Sequence, residues 1–254
     1  MENYRMTQPT DKTCRTLEDR VVLVTGANGG LGEEFVRQAV QRGARRVYAA
    51  ARQLRAWDDA RIVPLTLDIT KADDIARAVA SAPDCDLLIN NAAIAPEADV
   101  LLQPEEETRR IFDTNFFGTL NVANAFAPVL GANGGGTMLN ILSVAAWISI
   151  PTAYAASKAA LWSATNGLRM ALEGQNTQVI GLLVGMIDTP MTKNWNIPKS
   201  SAASIVTQAY DGIAAGALEI LADDTTRDLK SKLNTKGEEL YPWVHAQLRA
   251  LMAS

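Results

Sequence analysis

Along this chain, short runs rich in Val, Ile and Leu alternate with longer stretches in which apolar residues recur at helical spacing. Alternation of this kind predicts parallel strands joined by crossover helices. The first run is Val21-Val22-Leu23-Val24-Thr25, followed by a glycine-rich turn and an amphipathic helix over 31–41 that Gly43 ends. Strands are predicted at 46–51, 61–67 and 86–90, with a helix over 71–81 whose Asp73 and Asp74 favour its first turn. A long helix over 105–130, a loop over 131–136 and a strand over 137–142 come next. They are followed by a helix over 154–172 and a strand over 178–184. Beyond a loop around Pro190 and Pro198, a helix covers 202–216 and a short strand 218–221, leaving a polar C-terminal tail. The strands are apolar throughout, as a sheet covered on both faces requires. The prediction is therefore an α/β fold: a doubly wound parallel sheet of seven strands with helices on both faces. Residues 20–254 form one domain, and 1–19 an N-terminal extension.

Composition narrows the function without identifying it. A hydrophobic share of 48% and a charged share of 20% are ordinary for a globular chain with a filled core. The net charge of -4 offers no electrostatic footprint for nucleic acid or an anionic membrane. Two cysteines, Cys14 and Cys85, make no disulfide framework, and the single histidine, His245, excludes a metal site built on several imidazoles. No metal is expected. The first 19 residues lack the apolar stretch of a signal peptide, and no apolar run is long enough to span a bilayer. The expected location is the cytoplasm, away from membrane and nucleic acid.

Candidate chemistry begins at the first turn. Thr25-Gly26-Ala27-Asn28-Gly29-Gly30-Leu31-Gly32 lies between a strand and a helix. A dinucleotide pyrophosphate needs close backbone approach and the free N–H groups of a helix N-terminus, and Gly26, Gly30 and Gly32 meet that need. An NAD site usually carries an acid at the end of the second strand, binding the ribose 2′-hydroxyl. Here that place holds Ala51-Arg52, and the nearest carboxylates, Asp58 and Asp59, lie well beyond it. A guanidinium there matches a 2′-phosphate in charge and fork geometry. NADP(H) is the preferred cofactor, with NAD(H) as the alternative.

Tyr154 and Lys158 stand four residues apart on a predicted helix and so share a face. A free phenol, with a pKa of about 10, is a poor base at neutral pH. A neighbouring cation favours the phenolate, so the pair could exchange a proton with a carbonyl or alcohol oxygen. Ser143 ends the fifth strand, on the side of the sheet where open α/β folds hold ligands, placed to hydrogen-bond the substrate oxygen.

Taken together, these segments resemble the short-chain dehydrogenases/reductases, in the short single-domain branch. The resemblance runs from Arg20 to about Asp223 through four ordered motifs: TGANGGLG at 25–32, Asn90-Asn91-Ala92-Ala93, Ser143 with Tyr154-x-x-x-Lys158, and Val184-Gly185-Met186-Ile187-Asp188-Thr189. It implies a single-domain Rossmann fold. By the same resemblance Tyr154 is the acid/base, and Lys158 lowers its pKa and holds the nicotinamide ribose. Ser143 orients the carbonyl, and Asn115, in Asp113-Thr114-Asn115-Phe116, anchors a water in a proton relay to Lys158. The segment from Asn90 through Asn91 and Ala92 to Ala93 shapes the adenosine-side wall, Thr25, Asn28, Leu31 and Ile69 also bind the cofactor, and Asp68 accepts from the adenine amine. Ile187 and Thr189 hold the nicotinamide carboxamide, and Gly185 also binds the cofactor.

Three features depart from the family pattern. Ala93 stands where glycine is usual, Val184 replaces a proline, and Ser143 and Tyr154 are closer in sequence than is typical. The glycine motif also fits the longer epimerase/dehydratase branch. That branch needs a C-terminal substrate domain for which 254 residues leave no room, so the short branch is expected.

The residues expected at the substrate are Ala95, Ala145, Trp147, Ile150, Met186 and Trp195. All are apolar, which suits a small to medium hydrophobic ketone, aldehyde or secondary alcohol. The loop from 191 to 198 is short for a lid, so an open pocket is expected. The two long helices carry more apolar residues than one buried face requires, and the resemblance implies a homodimer or homotetramer packed through them. Two other readings compete with an alcohol dehydrogenase/ketoreductase: a nucleotide-sensing regulator on the same fold, and a lyase or isomerase using the same Tyr/Lys pair.

Overall fold

Alternate residues of each central strand feed two separate cores, one on either side of a single sheet. The computed structural model describes residues 16–96, 100–148 and 150–252. Its strands are β1 (Val21–Thr25), β2 (Arg46–Ala51), β3 (Ile62–Thr66), β4 (Leu87–Asn90), β5 (Thr137–Ile141) and β6 (Gln178–Leu183). They are followed by β7 (Ile187–Asp188), β8 (Ser200–Ser201) and β9 (Glu219–Leu221). Seven of these build one parallel sheet in the order β3-β2-β1-β4-β5-β6-β9. The expected doubly wound sheet is what forms.

Helices α1 (Gly30–Gln41) and α6 (Ala202–Ala214) pack on one face, over Val22, Val24, Leu87, Ile89, Leu139 and Ile180. Phe35 of α1 meets Tyr210 of α6 edge-on, and the tyrosine hydroxyl donates to the Phe35 carbonyl at 2.7 Å. On the opposite face, α2 (Ala72–Ser81) and α4 (Thr119–Ala132) cover Val21, Leu23, Leu88, Met138 and Val179. Each such fully buried side chain contributes roughly 1.5–3 kcal/mol of hydrophobic stabilisation, which is why the apolar strands are so legible in the sequence.

Strand order reverses between β1 and β4, whose carboxyl ends are Thr25 and Asn90. A crevice at such a switch point is where open parallel sheets receive ligands.

Three sequence expectations change. The single helix over 105–130 is interrupted: α3 (Glu105–Phe112) passes into a π-helical turn, Asp113–Gly118, before α4 begins. Gly118 permits the wide turn, because a Cβ there would lie 2.9 Å from Ile69 and 3.0 Å from the Asp113 carbonyl. The polar tail is also no tail. It forms α7 (Asp224–Lys232) and α8 (Gly237–Met252), with Leu229, Leu240 and Val244 buried. The polar composition of α7 disguised a helix that needs only Thr226 and Leu229 buried. Finally, the extension expected over 1–19 meets the domain at its end: Leu17 is buried, and the Asp19 amide donates to the Gly43 carbonyl at 3.0 Å. Its first fifteen residues lie outside the described ones. Among the described residues, no helix is long and apolar enough to cross a membrane.

Candidate functional site

The glycine turn is closed in from two directions. Gly26 has φ of +66°, and a Cβ there would sit 3.0 Å from Ala92 Cα. Gly32 is tighter still, its missing Cβ falling 2.2 Å from the Gly26 carbonyl oxygen. From the β4 side, Asn91 Nδ2 donates to the Thr25 carbonyl at 2.8 Å and to the Gly26 carbonyl at 3.2 Å. Thr25 Oγ1 accepts from the amides of Asn91 and Ala92 at 2.9 and 3.0 Å. From the other side, Thr189 and Pro190 come against Gly30, within 3.3 and 3.7 Å of where its Cβ would be. Leu31 turns into the core and leaves its backbone at the head of α1. The turn is thus held between the end of β4 and the 189–190 segment, with its backbone at the head of α1, the kind of place that receives a phosphate-bearing ligand.

At the end of β2, Arg52 is exposed and makes no hydrogen bond or ion pair among the described residues. Asp68 lies near enough to feel its charge; Thr70 hydrogen bonds, then Lys71 and Arg52, hold that carboxyl below its usual range. Asp68 Oδ1 accepts from Thr70 Oγ1 at 2.7 Å and from its amide at 3.0 Å. Ile69 is buried in the core beside Gly118. A second guanidinium, which the sequence reading missed, stands by the turn. Arg55 bonds Glu33 of α1 at 2.8 Å, donates to the Asn28 carbonyl at 3.2 Å, and lies 3.8 Å above the Trp57 ring. Asn28 in turn donates through Nδ2 to the Gln53 carbonyl at 2.6 Å. Only the register of α1 against the β2–β3 loop brings Arg55 there, so no local signal announced it.

The residues expected to react come together where β5, the π turn and α5 (Ala153–Ala171) meet. Thr152 caps α5, its hydroxyl accepting from the Ala155 amide at 3.1 Å, so Tyr154 and Lys158 project from the first turns. Tyr154 hydrogen-bonds Ser143, whose own Oγ accepts from the Ala145 amide at 3.1 Å. Burial pushes the phenol pKa up, and the Ser143 hydrogen bond opposes that shift. Lys158 is buried under the tyrosine: its Nζ lies 5.7 Å from the ring centre and donates to the Ile141 carbonyl at 2.8 Å. Burial pushes the lysine pKa down to about 8. In the protein alone, desolvation is the largest cause at both groups, and the lowering of the phenol that the sequence led us to expect from Lys158 is not among the causes acting on Tyr154.

Asn115 lies in the π turn, fully buried. Its Oδ1 accepts from the Ile94 amide at 2.8 Å, and its Nδ2 donates to the Ile94 carbonyl at 2.9 Å and to Ser157 Oγ at 3.2 Å. It ties the segment carrying Ala93 and Ala95, both partly buried, to α5. The π turn has a direct use here, rotating Asn115 inward at a point where regular helix would continue.

Beyond β6 the chain turns through Val184, Gly185 and Met186 into β7, which pairs with β8. Ile187 is buried, and its carbonyl accepts the Thr192 hydroxyl. Lys199 Nζ donates to the Thr192 carbonyl at 2.7 Å, so the loop from 189 to 199 is short and tied at its base. Of the residues expected around the substrate, Ala145 is buried, Met186 and Ile150 are partly exposed, and Trp195 is 42% exposed. Trp147, partly exposed, packs edge-on to Trp162, with Lys230 of α7 4.5 Å from its ring centre.

Against known proteins, the family model described as short chain dehydrogenase matches residues 20–200. A short-chain dehydrogenase of Penicillium crustosum is 34% identical over 204 residues, 73% of this chain and 73% of that protein. An uncharacterized oxidoreductase of Myxococcus xanthus is 32% identical over 194 residues, 70% of this chain and 76% of its own. Among solved structures, a short chain dehydrogenase from Burkholderia cenocepacia, in complex with NADP, superposes with a TM-score of 0.83 at 36% identity. That match covers 92% of this chain and 99% of the other.

Proposed function

The chain belongs to the short-chain dehydrogenase/reductase family, and we propose that it is an NADP(H)-dependent oxidoreductase interconverting a small to medium apolar ketone or aldehyde and its alcohol. The observation that carries this reading is the Tyr154–Ser143 hydrogen bond with the Lys158 ammonium buried beneath the phenol. A carbonyl oxygen seated between the two hydroxyls accepts a hydrogen bond from Ser143 and a proton from Tyr154. In the reverse direction Tyr154 takes the alcohol proton, and Lys158 stabilises the phenolate left behind. Asn115 holds Ile94 and Ser157 in place around them.

When bound, a nicotinamide dinucleotide would supply the hydride for carbonyl reduction and accept it in alcohol oxidation. The chain's own features fit such a group. Gly26, Gly30 and Gly32 let Ala92, Thr189 and the turn's own backbone come closer than any side chain there would permit, and Arg52 stands exposed at the end of β2. Thr25, Asn28, Leu31, Asp68, Ile69, Asn91, Ala92 and Ala93 would line the adenosine side. Gly185, Ile187 and Thr189 would meet the nicotinamide, with Tyr154 and Lys158 at its ribose. Arg52, with Arg55 nearby, favours a 2′-phosphate over a free hydroxyl. The NADP found in the Burkholderia relative supports the same choice.

For the substrate, Ala95, Ala145, Ile150, Met186 and Trp195 supply an apolar surface. Exposed Phe117 and Met170 suit burial against a second copy of the chain, and a homo-oligomer is the assembly we assign. The test of function is a panel of carbonyls and alcohols with NADPH and NADH in parallel. NADPH-dependent turnover of apolar carbonyls is expected; clear cofactor binding with no turnover of any carbonyl or alcohol would overturn the reading.

A further inference from the structure

The turn that follows β6 is held at three consecutive residues. The Val184 carbonyl accepts from the Val144 amide at 2.9 Å, directly after Ser143. The Gly185 amide donates to Asp223 Oδ2 at 2.7 Å, and the Met186 carbonyl accepts from the Ser200 amide at 2.9 Å. Asp223 is the N-cap of α7, and its other oxygen is already used: Oδ1 accepts from the Thr226 amide at 2.8 Å and from Thr226 Oγ1 at 2.9 Å. Capping the helix needs only one acceptor, which serine or asparagine supplies equally well. The second carboxylate oxygen, on a side chain 8% exposed, reaches out of the helix to an amide thirty-eight residues earlier.

We infer that Asp223 is a positioning residue for the nicotinamide half of the cofactor site, fixing the Val184–Gly185 peptide so that Gly185, Ile187 and Thr189 face the ligand in register with Ser143. The inference rests on the reading that these three residues meet the nicotinamide. Its physical basis is that no proline stiffens this turn. One side of the peptide is fixed by the Val144 amide, in the short turn that Ser143 caps after β5, and the other by Asp223 of α7. Glycine at 185 is part of the device, since a Cβ would lie 3.3 Å from Asp223 Oδ1. Helix α7 is itself braced on the sheet by the Lys230–Glu219 ion pair and by Arg227, which donates to the Leu221 carbonyl at 2.6 Å. The C-terminal helices thus act on the reaction through one carboxylate, at a distance from the proton-transfer groups.

The test compares Asp223→Ser with the wild type. Serine keeps the helix cap but is too short to reach Gly185. Calorimetric affinities are measured for NADPH and for 2′,5′-ADP, which carries the adenosine half alone, together with hydrogen exchange over 184–189. The expected result is NADPH binding weakened about tenfold, because a turn no longer held in place must be ordered as the ligand binds. Affinity for 2′,5′-ADP is unchanged and exchange over 184–189 is faster. Equal weakening of both ligands, or of neither, overturns the proposal while leaving the dehydrogenase reading in place. A wild-type chain that binds neither ligand overturns both.

Discussion

Lys158 stands one turn after Tyr154 on α5, yet its ammonium bonds the Ile141 carbonyl at 2.8 Å and lies 5.7 Å from the centre of the phenol ring. The cation is placed to stabilise a phenolate without sharing the hydroxyl, which remains with Ser143. If Tyr154 carries the proton, Tyr154→Phe lowers kcat about 10²–10⁴-fold, the usual contribution of general acid–base catalysis, with NADPH affinity little changed. Retained turnover in steady-state assays contradicts the assignment.

Burial raises the phenol pKa, so near neutral pH Tyr154 is protonated and ready to act as an acid. Carbonyl reduction is expected to proceed at neutral pH and to decline as pH rises, while alcohol oxidation, which needs the phenolate, accelerates. Profiles of kcat/KM in both directions check this. Parallel rises in both contradict it.

Lys158 pays for its position in stability. Its pKa falls from 10.5 to about 8, so burying the charged form costs on the order of 3 kcal/mol, less what the Ile141 hydrogen bond returns. The sign follows from linkage. Above pH 10.5 the lysine is neutral in both folded and unfolded chains and carries no penalty. As pH falls from there to about 8 the penalty grows, and below that it is complete. Lys158→Met is expected to melt higher than the wild type at pH 7, with the gap closing toward pH 10.5, while turnover is lost. Thermal unfolding across that range is the measurement, and a lower melting temperature at pH 7 counts against this account.

Arg52 is exposed without an ion pair among the described residues, whereas Arg55 is committed to Glu33. Arg52→Asp is expected to reverse the preference from NADPH to NADH, since a carboxylate there binds the ribose 2′-hydroxyl and repels a phosphate. Arg55→Ala is expected to weaken NADPH about tenfold with a smaller effect on NADH, and to cost under about 1 kcal/mol of stability, as a part-exposed ion pair does. Titration with both cofactors decides, and unchanged selectivity in Arg52→Asp means the 2′-phosphate site lies elsewhere.

Phe117 and Met170 leave 51% and 77% of their surface to solvent. In a homo-oligomer that buries Met170, Met170→Glu shifts sedimentation toward the monomer. A wild-type chain that sediments as a monomer at micromolar concentration rules the assembly out.

What the sequence by itself determined is whatever depends on near neighbours along the chain. Strands buried on both faces read as apolar runs, helix faces as periodic ones, and the glycine turn as a backbone that must come close to something. Tyr154 and Lys158 are in the same class, because a four-residue separation on a helix fixes a shared face before any folding. Tertiary structure decided what needs two distant segments. It turned Asn115 inward through a π turn stabilised by Gly118 and Ile69, set Arg55 against Glu33, and sent Trp147 to Trp162 and Lys230. It also made helices of a polar tail and carried Asp223 to Gly185. None of these partners is adjacent in sequence. The balance of burial and charge at Tyr154 and Lys158 was equally hidden, because desolvation depends on everything packed around a group and on no single residue beside it.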